Sequence, residues 1–110
     1  MTEKLKLDDK GLLPAIIQDE DSGEVLMLGY MNRESLKLTL ESGEAWFYSR
    51  SRQELWHKGT TSGNRLIVSG VWLDCDNDTI LVKARPLGPV CHTGSKTCFF
   101  KKISKENAPE

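Results

Sequence analysis

The apolar positions fall into short blocks of two periods, and the blocks predict the elements. Leu12-Leu13-Pro14-Ala15-Ile16-Ile17-Gln18-Asp19 and Val25-Leu26-Met27-Leu28-Gly29-Tyr30-Met31 flank the polar stretch Asp19-Glu20-Asp21-Ser22-Gly23-Glu24. They read as two strands of a hairpin, with Pro14 near the start of the first, where a missing N–H does least harm. The acidic turn between them reads as solvated surface rather than a ligand set. Asn32 and Gly43 bracket Arg33 to Ser42 as an N-cap and a C′ glycine around about three turns of helix. Leu36, Leu38 and Leu40 also alternate as in a strand, but the caps favour a helix with Leu36 and Leu40 facing the core.

Glu44-Ala45-Trp46-Phe47-Tyr48-Ser49-Arg50-Ser51-Arg52 is aromatic and predicts a third strand, whose end places Arg50 and Arg52 on one side. Two parallel guanidiniums suit a phosphate, although an exposed strand end is the plainer reading. Leu55-Trp56-His57-Lys58-Gly59-Thr60-Thr61-Ser62-Gly63-Asn64 reads as a loop able to offer backbone N–H groups to phosphate, without matching a phosphate-loop fingerprint. Arg65 to Leu73 and Thr79 to Arg85 predict two further strands joined through Asp76-Asn77-Asp78, and Phe99 to Ile103 a short edge strand. Residues 1–11 and 104–110 read as flexible ends. The expectation is one domain over 1–110, an α+β fold with a mostly antiparallel sheet and one principal helix.

Bulk properties narrow the classes. A chain of 110 residues buries roughly two-thirds of its unfolded surface, and 38% hydrophobic with 28% charged residues is ordinary for a globular domain. A net charge of −1 supplies no basic field, so no nucleic-acid partner is expected. Apolar runs are too short for a membrane helix, and the first residues lack the apolar core of a signal peptide. A cytoplasmic, reducing location is expected, which leaves thiols free.

The chemistry concentrates in Leu73-Asp74-Cys75-Asp76-Asn77-Asp78 and Gly88-Pro89-Val90-Cys91-His92-Thr93-Gly94-Ser95-Lys96-Thr97-Cys98, which hold all three cysteines. If the strand continues into Asp74, alternation puts Asp74, Asp76 and Asp78 on one side and Cys75 on the other. Converging carboxylates repel and call for a cation, and oxygen-only ligation suits Mg²⁺. An EF-hand loop fails because Thr79 stands where its glycine belongs and Arg85 where its glutamate belongs. A solvated acidic turn is the competing reading. Three cysteines cannot all pair within one chain, and no CxxC is present. Three thiolates can instead hold Zn²⁺ and leave a fourth position for water, whose pKa zinc lowers towards neutrality. Cys75 could equally be a buried small hydrophobe in a strand. Cys91 and Cys98 lie in a loop with little apolar packing to offer.

With these residues in hand, the chain resembles the phosphoribosyl-AMP cyclohydrolase family of histidine biosynthesis. The resemblance runs from about Leu12 to Phe100. Its carriers are the aspartate and cysteine segments above, Ser49-Arg50-Ser51-Arg52, Leu55-Trp56-His57-Lys58-Gly59 with Thr61-Ser62-Gly63-Asn64, and Pro14-Ala15-Ile16 with Leu28-Gly29-Tyr30-Met31-Asn32. It implies hydrolytic opening of the adenine ring at N1–C6 of the small-molecule nucleotide phosphoribosyl-AMP, the third step of histidine biosynthesis. It further implies Asp74, Asp76 and Asp78 as Mg²⁺ ligands and Cys75, Cys91 and Cys98 as Zn²⁺ ligands. It also implies an intertwined homodimer with one zinc per subunit, shared across the interface. N1 must gain a proton as its bond breaks, and His92 is the first candidate, with orientation of the loop as its other role. His57 is a second candidate. Arg50, Arg52 and Lys58 are candidates for the two 5′-phosphates, and Thr61, Ser62, Gly63 and Asn64 for phosphate or ribose. Because some members carry a fused second domain and this chain stops at Glu110, only the cyclohydrolase step is expected, with the preceding step in another polypeptide. Two rivals stand beside this reading. One is a non-enzymatic module whose three cysteines close a structural zinc site with His57 or His92. The other is a zinc nucleobase deaminase, disfavoured by the missing H-x-E…P-C-x-x-C signature.

Overall fold

Strand β1 (Leu13–Asp19) alternates buried and half-buried side chains along its whole length, because a strand lies on each side of it. The computed structural model describes residues 4–109. β1 pairs antiparallel with β2 (Val25–Met31), forming the expected hairpin. Helix α1 (Arg33–Ser42) follows, then the short strands β3 (Trp46–Ser49) and β4 (Glu54–His57), and the long hairpin of β5 (Leu66–Leu73) and β6 (Ile80–Pro86). The main sheet has the order β2-β1-β6-β5, and β3 with β4 forms a separate two-stranded sheet. The fold is α+β with one helix, but the main sheet is mixed: β1 and β6 run parallel, from Ala15 opposite Ile80 to Asp19 opposite Ala84.

That parallel pair gives the sheet two chemically different ends. The starts of β1 and β6 lie together at one end, beside the turn 74–79. At the other end lie the close of β1, the start of β2 and the exit of β6 into the loop 87–98.

One face of the sheet builds the core from Leu13, Ala15, Ile17, Met27, Met31, Ile80, Val82 and Ala84, covered by Leu36 and Phe47. Strand β5 reaches the same face by a change of phase. Val68 pairs with Ala84 and Gly70 with Lys83, so Ser69 is an extra residue, a β-bulge. Before it Leu66 and Val68 face inward; after it Val71 and Leu73 do. The opposite face carries a half-exposed row running across all four strands through directly paired residues, Leu28, Ile16, Leu81 and Trp72.

Helix α1 is closed at both ends as the sequence predicts. The Asn32 side chain accepts from Ser35 N–H at 2.8 Å, the Ser35 hydroxyl accepts from Asn32 N–H at 2.9 Å, and Gly43 takes φ 73°. Its inward residues are Ser35, Leu36 and Thr39. Leu40 does not face the core and is 55% exposed. Thr39 is the residue buried on that side, its hydroxyl donating to Ser35 C=O at 2.8 Å and accepting from Trp46 N–H at 3.0 Å. A polar side chain takes this position because it ties the helix to β3, which a leucine could not.

Three other expectations change. Of residues 1–11, expected as a flexible lead-in, 1–3 lie outside the described residues and 4–11 lie against the domain: Leu5 and Leu7 pack on the core, Lys6 N–H donates to Asn77 C=O at 2.8 Å, and the Asp8 carboxylate accepts from Leu12 N–H. Phe99 to Ile103 forms no strand, and Phe99 and Ile103 are exposed. The aromatic strand ends at Ser49, and Leu55 to His57, read as loop, belong to β4 paired back on β3. Among the described residues no helix is long and apolar enough to cross a membrane.

Gly29 sets the distance between β2 and the core aromatic, since a Cβ there would stand 2.6 Å from Cδ1 of Phe47. Gly29→Ala is expected to lower stability by about 1–3 kcal/mol through overpacking. Urea denaturation should show this as a lower midpoint at unchanged slope.

Candidate metal and substrate site

The aspartates converge by a different route from strand alternation. β5 ends at Leu73, and the chain turns at once. Asp74 Oδ1 accepts from the N–H of Asp78 at 3.0 Å and of Thr79 at 3.2 Å, and Asn77 takes φ 64°, which asparagine tolerates better than most side chains. This local winding brings one carboxylate oxygen from each of Asp74, Asp76 and Asp78 within 4.8 Å of the others. Asp76 is held above the usual carboxylate range, first by the hydrogen-bonded Asp78 carboxyl, then by burial and by Asp74. For Asp74, partial burial pushes upward but is outweighed by hydrogen bonds with Asp78 and Thr79, so it lies below that range. Carboxylates this close repel one another and are relieved by a hard cation, so the donor set fits Mg²⁺.

At the other end of the sheet, Cys91 and Cys98 lie on one loop, near enough for each to perturb the other's thiol. Cys91 is buried and receives the Thr93 hydroxyl on Sγ at 3.1 Å. That bond, reinforced by Thr93 N–H and by the charge of Lys58, holds the Cys91 thiol below its ordinary value. Burial, then the neighbouring Cys91, pushes Cys98 up. Two sulfur donors brought together on one loop, one of them with its thiol lowered by a hydroxyl donor, are a set suited to a soft cation such as zinc.

Cys75 does not join them. It sits in the aspartate turn, and the seven residues of β6 separate the two ends by about 20 Å. Two sulfurs on one zinc lie within about 5 Å. One chain therefore supplies two of the three expected thiols at one place and the third at the far end.

The remaining candidates divide between two neighbouring grooves on the β3–β4 sheet. One, of 450 Å³, is lined by Arg52, Trp56, His57, Lys58, Thr61 and Ser62 among others. Lys58 links it to the thiol pair, donating to Val90 C=O at 2.6 Å next to Cys91. Gly63 closes the turn with φ 80° and an N–H bond to Gly59 C=O, while Asn64 faces Gly88 rather than the groove. The other groove, of 550 Å³, holds Arg50 with Lys10, Ser49, Ser51 and Tyr30. Arg50 lies over the Tyr30 ring at 3.9 Å, and Arg52 stands 3.9 Å from Glu54. The two arginines are thus not presented in parallel, because the chain reverses at residues 50–53 instead of extending.

His92 is exposed in the loop beside Cys91, free of side-chain hydrogen bonds among the described residues. His57 is held on two sides. Its ring stacks on Trp46 at 4.5 Å, and Nε2 lies 3.0 Å from Glu44 Oε1, which also meets Arg65 at 3.6 Å. This makes it a fixed groove wall rather than a free base. Glu44 and Thr93 were not singled out from the sequence. Thr93 could have been, since it stands two positions from a candidate ligand, whereas Glu44 is separated from His57 by thirteen residues.

Asp76→Asn should relieve the repulsion among the carboxylates. The sign follows from the raised folded value. At this one group the folded state holds its proton to higher pH than the unfolded chain, so the contribution of Asp76 to stability falls as pH rises from 3.8 through the raised folded value. The variant is expected to lose this fall and also any thermal stabilisation by added Mg²⁺. Melting curves of both proteins against pH, with and without Mg²⁺, check both.

The model of the family described as phosphoribosyl-AMP cyclohydrolase matches residues 27–100. The phosphoribosyl-AMP cyclohydrolase of Listeria innocua is 59% identical over 97 residues, covering 88% of this chain and 92% of that protein. The histidine biosynthesis bifunctional protein HisIE of Bacillus subtilis is 56% identical over 108 residues, covering 98% of this chain and 52% of that protein; its counterpart in Oceanobacillus iheyensis is 52% identical over 105 residues. The chain spans about half the length of these bifunctional relatives and nearly all of the Listeria protein. With a matching family model over most of its length and relatives at this identity, the chain belongs to the phosphoribosyl-AMP cyclohydrolase family.

Proposed function

We propose that this chain is a zinc-dependent hydrolase that opens the adenine ring of phosphoribosyl-AMP as a homodimer. The observation that carries the reading is the division of donors between the two ends of the sheet: an oxygen cluster with Cys75 at one, the Cys91–Cys98 pair at the other. Two copies related by a twofold axis can bring Cys75 of each to the thiol pair of the other and complete two equal sites. The half-exposed row of Leu28, Ile16, Leu81 and Trp72 supports the same assembly, since a subunit interface would bury it.

In the reaction, water adds at C6 and the N1–C6 bond breaks. The water oxygen becomes the carboxamide oxygen, and N1 keeps the bonding pair and takes up a proton. Zinc held by Cys75, Cys91 and Cys98 would acidify water. Mg²⁺ on Asp74, Asp76 and Asp78 would screen phosphate charge. Lys58 is well placed to hold an anionic group close to the thiols, with Arg52 and the hydroxyls of Thr61 and Ser62 extending the same groove. Arg50 faces the neighbouring groove and is available to a second anionic arm. His92, exposed next to Cys91, is the group free to deliver the proton to N1.

Two measurements test this. Phosphoribosyl-AMP mixed with the zinc- and magnesium-loaded protein should give the ultraviolet change of ring opening, and removal of zinc by a chelator should abolish it. No turnover by folded, zinc-loaded protein would sink the reading. Second, Cys75→Ser and Cys91→Ser, each inactive alone, should regain about a quarter of the unaltered activity after mixing and subunit exchange, because half the dimers are mixed and each has one intact site. No regain after demonstrated exchange would rule out the shared site.

A further inference from the structure

The loop that carries Cys91 and Cys98 is tied to the rest of the domain by a side chain lying between them. Lys96 Nζ stands 3.2 Å from Asp19 Oδ2 and 3.2 Å from Glu24 Oε1, bridging the two ends of the β1–β2 turn. The acidic turn read as solvated surface is therefore half engaged, and Asp19 is 6% exposed. Burying that carboxylate is tolerated because it accepts from Asp21 N–H at 2.9 Å and faces Lys96. The next two residues continue the seam: the Thr97 hydroxyl donates to Val25 C=O at 2.8 Å, and Cys98 N–H donates to Leu26 C=O at 2.8 Å. Within the loop, Lys96 C=O accepts from Val90 N–H at 3.2 Å and Ser95 C=O from Cys91 N–H at 3.1 Å. Anchoring Lys96 thus fixes Cys91 through the backbone on one side and Cys98 through the chain on the other.

We propose that Lys96, clamped between Asp19 and Glu24, is a positioning residue that pre-forms the Cys91–Cys98 half of the zinc site. It touches neither the metal nor the substrate. Its effect is to remove the ordering of a Gly- and Ser-containing loop from the free energy of metal binding, as outer partners of metal ligands do. The proposal rests on the reading that these thiols bind zinc.

The test compares Lys96→Met, which keeps the stem and removes the charge, with Lys96→Arg. Zinc affinity is measured by competition with a chromophoric chelator, and amide hydrogen exchange at Val90, Cys91 and Cys98 is followed in the metal-free protein. Lys96→Met is expected to bind zinc about 10–100-fold more weakly and to exchange faster at those three amides, with the amides of β1 unchanged. Lys96→Arg should restore most of both. Either readout unchanged in Lys96→Met, or Lys96→Arg behaving like Lys96→Met, overturns the clamp. If Lys96→Met does not fold, Glu24→Gln, at the exposed end of the bridge, is read in the same way, with an intermediate loss expected and no change overturning the proposal. Unaltered protein that fails to bind zinc at all would bring down the metal reading itself, a result distinct from normal zinc binding by both proteins.

Discussion

The parallel pairing of β1 with β6 is the constraint on which the arrangement depends. Parallel neighbours cannot be joined by a tight turn, so the whole of β2, α1, the small sheet and β5 is spent on the crossover between them. In return the two central strands start at the same edge. The β5–β6 turn can then gather hard oxygen donors at that edge, while the exit of β6 delivers soft sulfur donors at the opposite one. An antiparallel pairing would have set the sulfur loop beside the start of β1, away from the β1–β2 turn that Lys96, Thr97 and Cys98 contact. The separation of the two donor groups follows from the length of β6, and what each of them packs against follows from strand direction.

The two ends are held by opposite electrostatic means. The aspartate turn gathers like charges and fixes them with backbone N–H groups, so its empty form is under internal repulsion. The sulfur end collects positive and donor groups around thiols, with the Thr93 hydroxyl on Cys91 and Lys58 nearby. A site that repels itself is loaded readily by a small hard ion. A thiol lowered by a hydroxyl donor gives up its proton to a soft ion more readily.

What could be read from the sequence was what neighbouring residues decide. The Asn32 and Gly43 caps, the β1–β2 hairpin and the β5–β6 hairpin are local, and each stands where the pattern puts it. Spacing from Leu36 points Leu40 at the core because it is blind to what lies opposite, and Thr39, accepting from Trp46 N–H, takes the inward place. β4 was hidden for a similar reason: Leu55, Trp56 and His57 have no strong alternation of their own and become a strand only by pairing with β3. The aspartate cluster was anticipated through strand parity and is made by a turn, so the grouping was legible and its cause was not. Docking of Leu5 and Leu7 and the bridge from Lys96 to Asp19 depend on partners far along the chain, which no local pattern records.

The bulge at Ser69 has a bearing on how this strand can change over time. Strand β5 lies at the edge of the sheet, where the gain or loss of a residue is usually absorbed by a small slip against a single neighbour. In this strand the additional residue sets the phase of everything after it: delete Ser69, and Val71 and Leu73 exchange faces with Trp72. The turn that follows would leave the sheet rotated by half a revolution, with its carboxylates aimed at the other side. Length variation in β5 is therefore constrained by the carboxylates beyond it rather than by the strand itself.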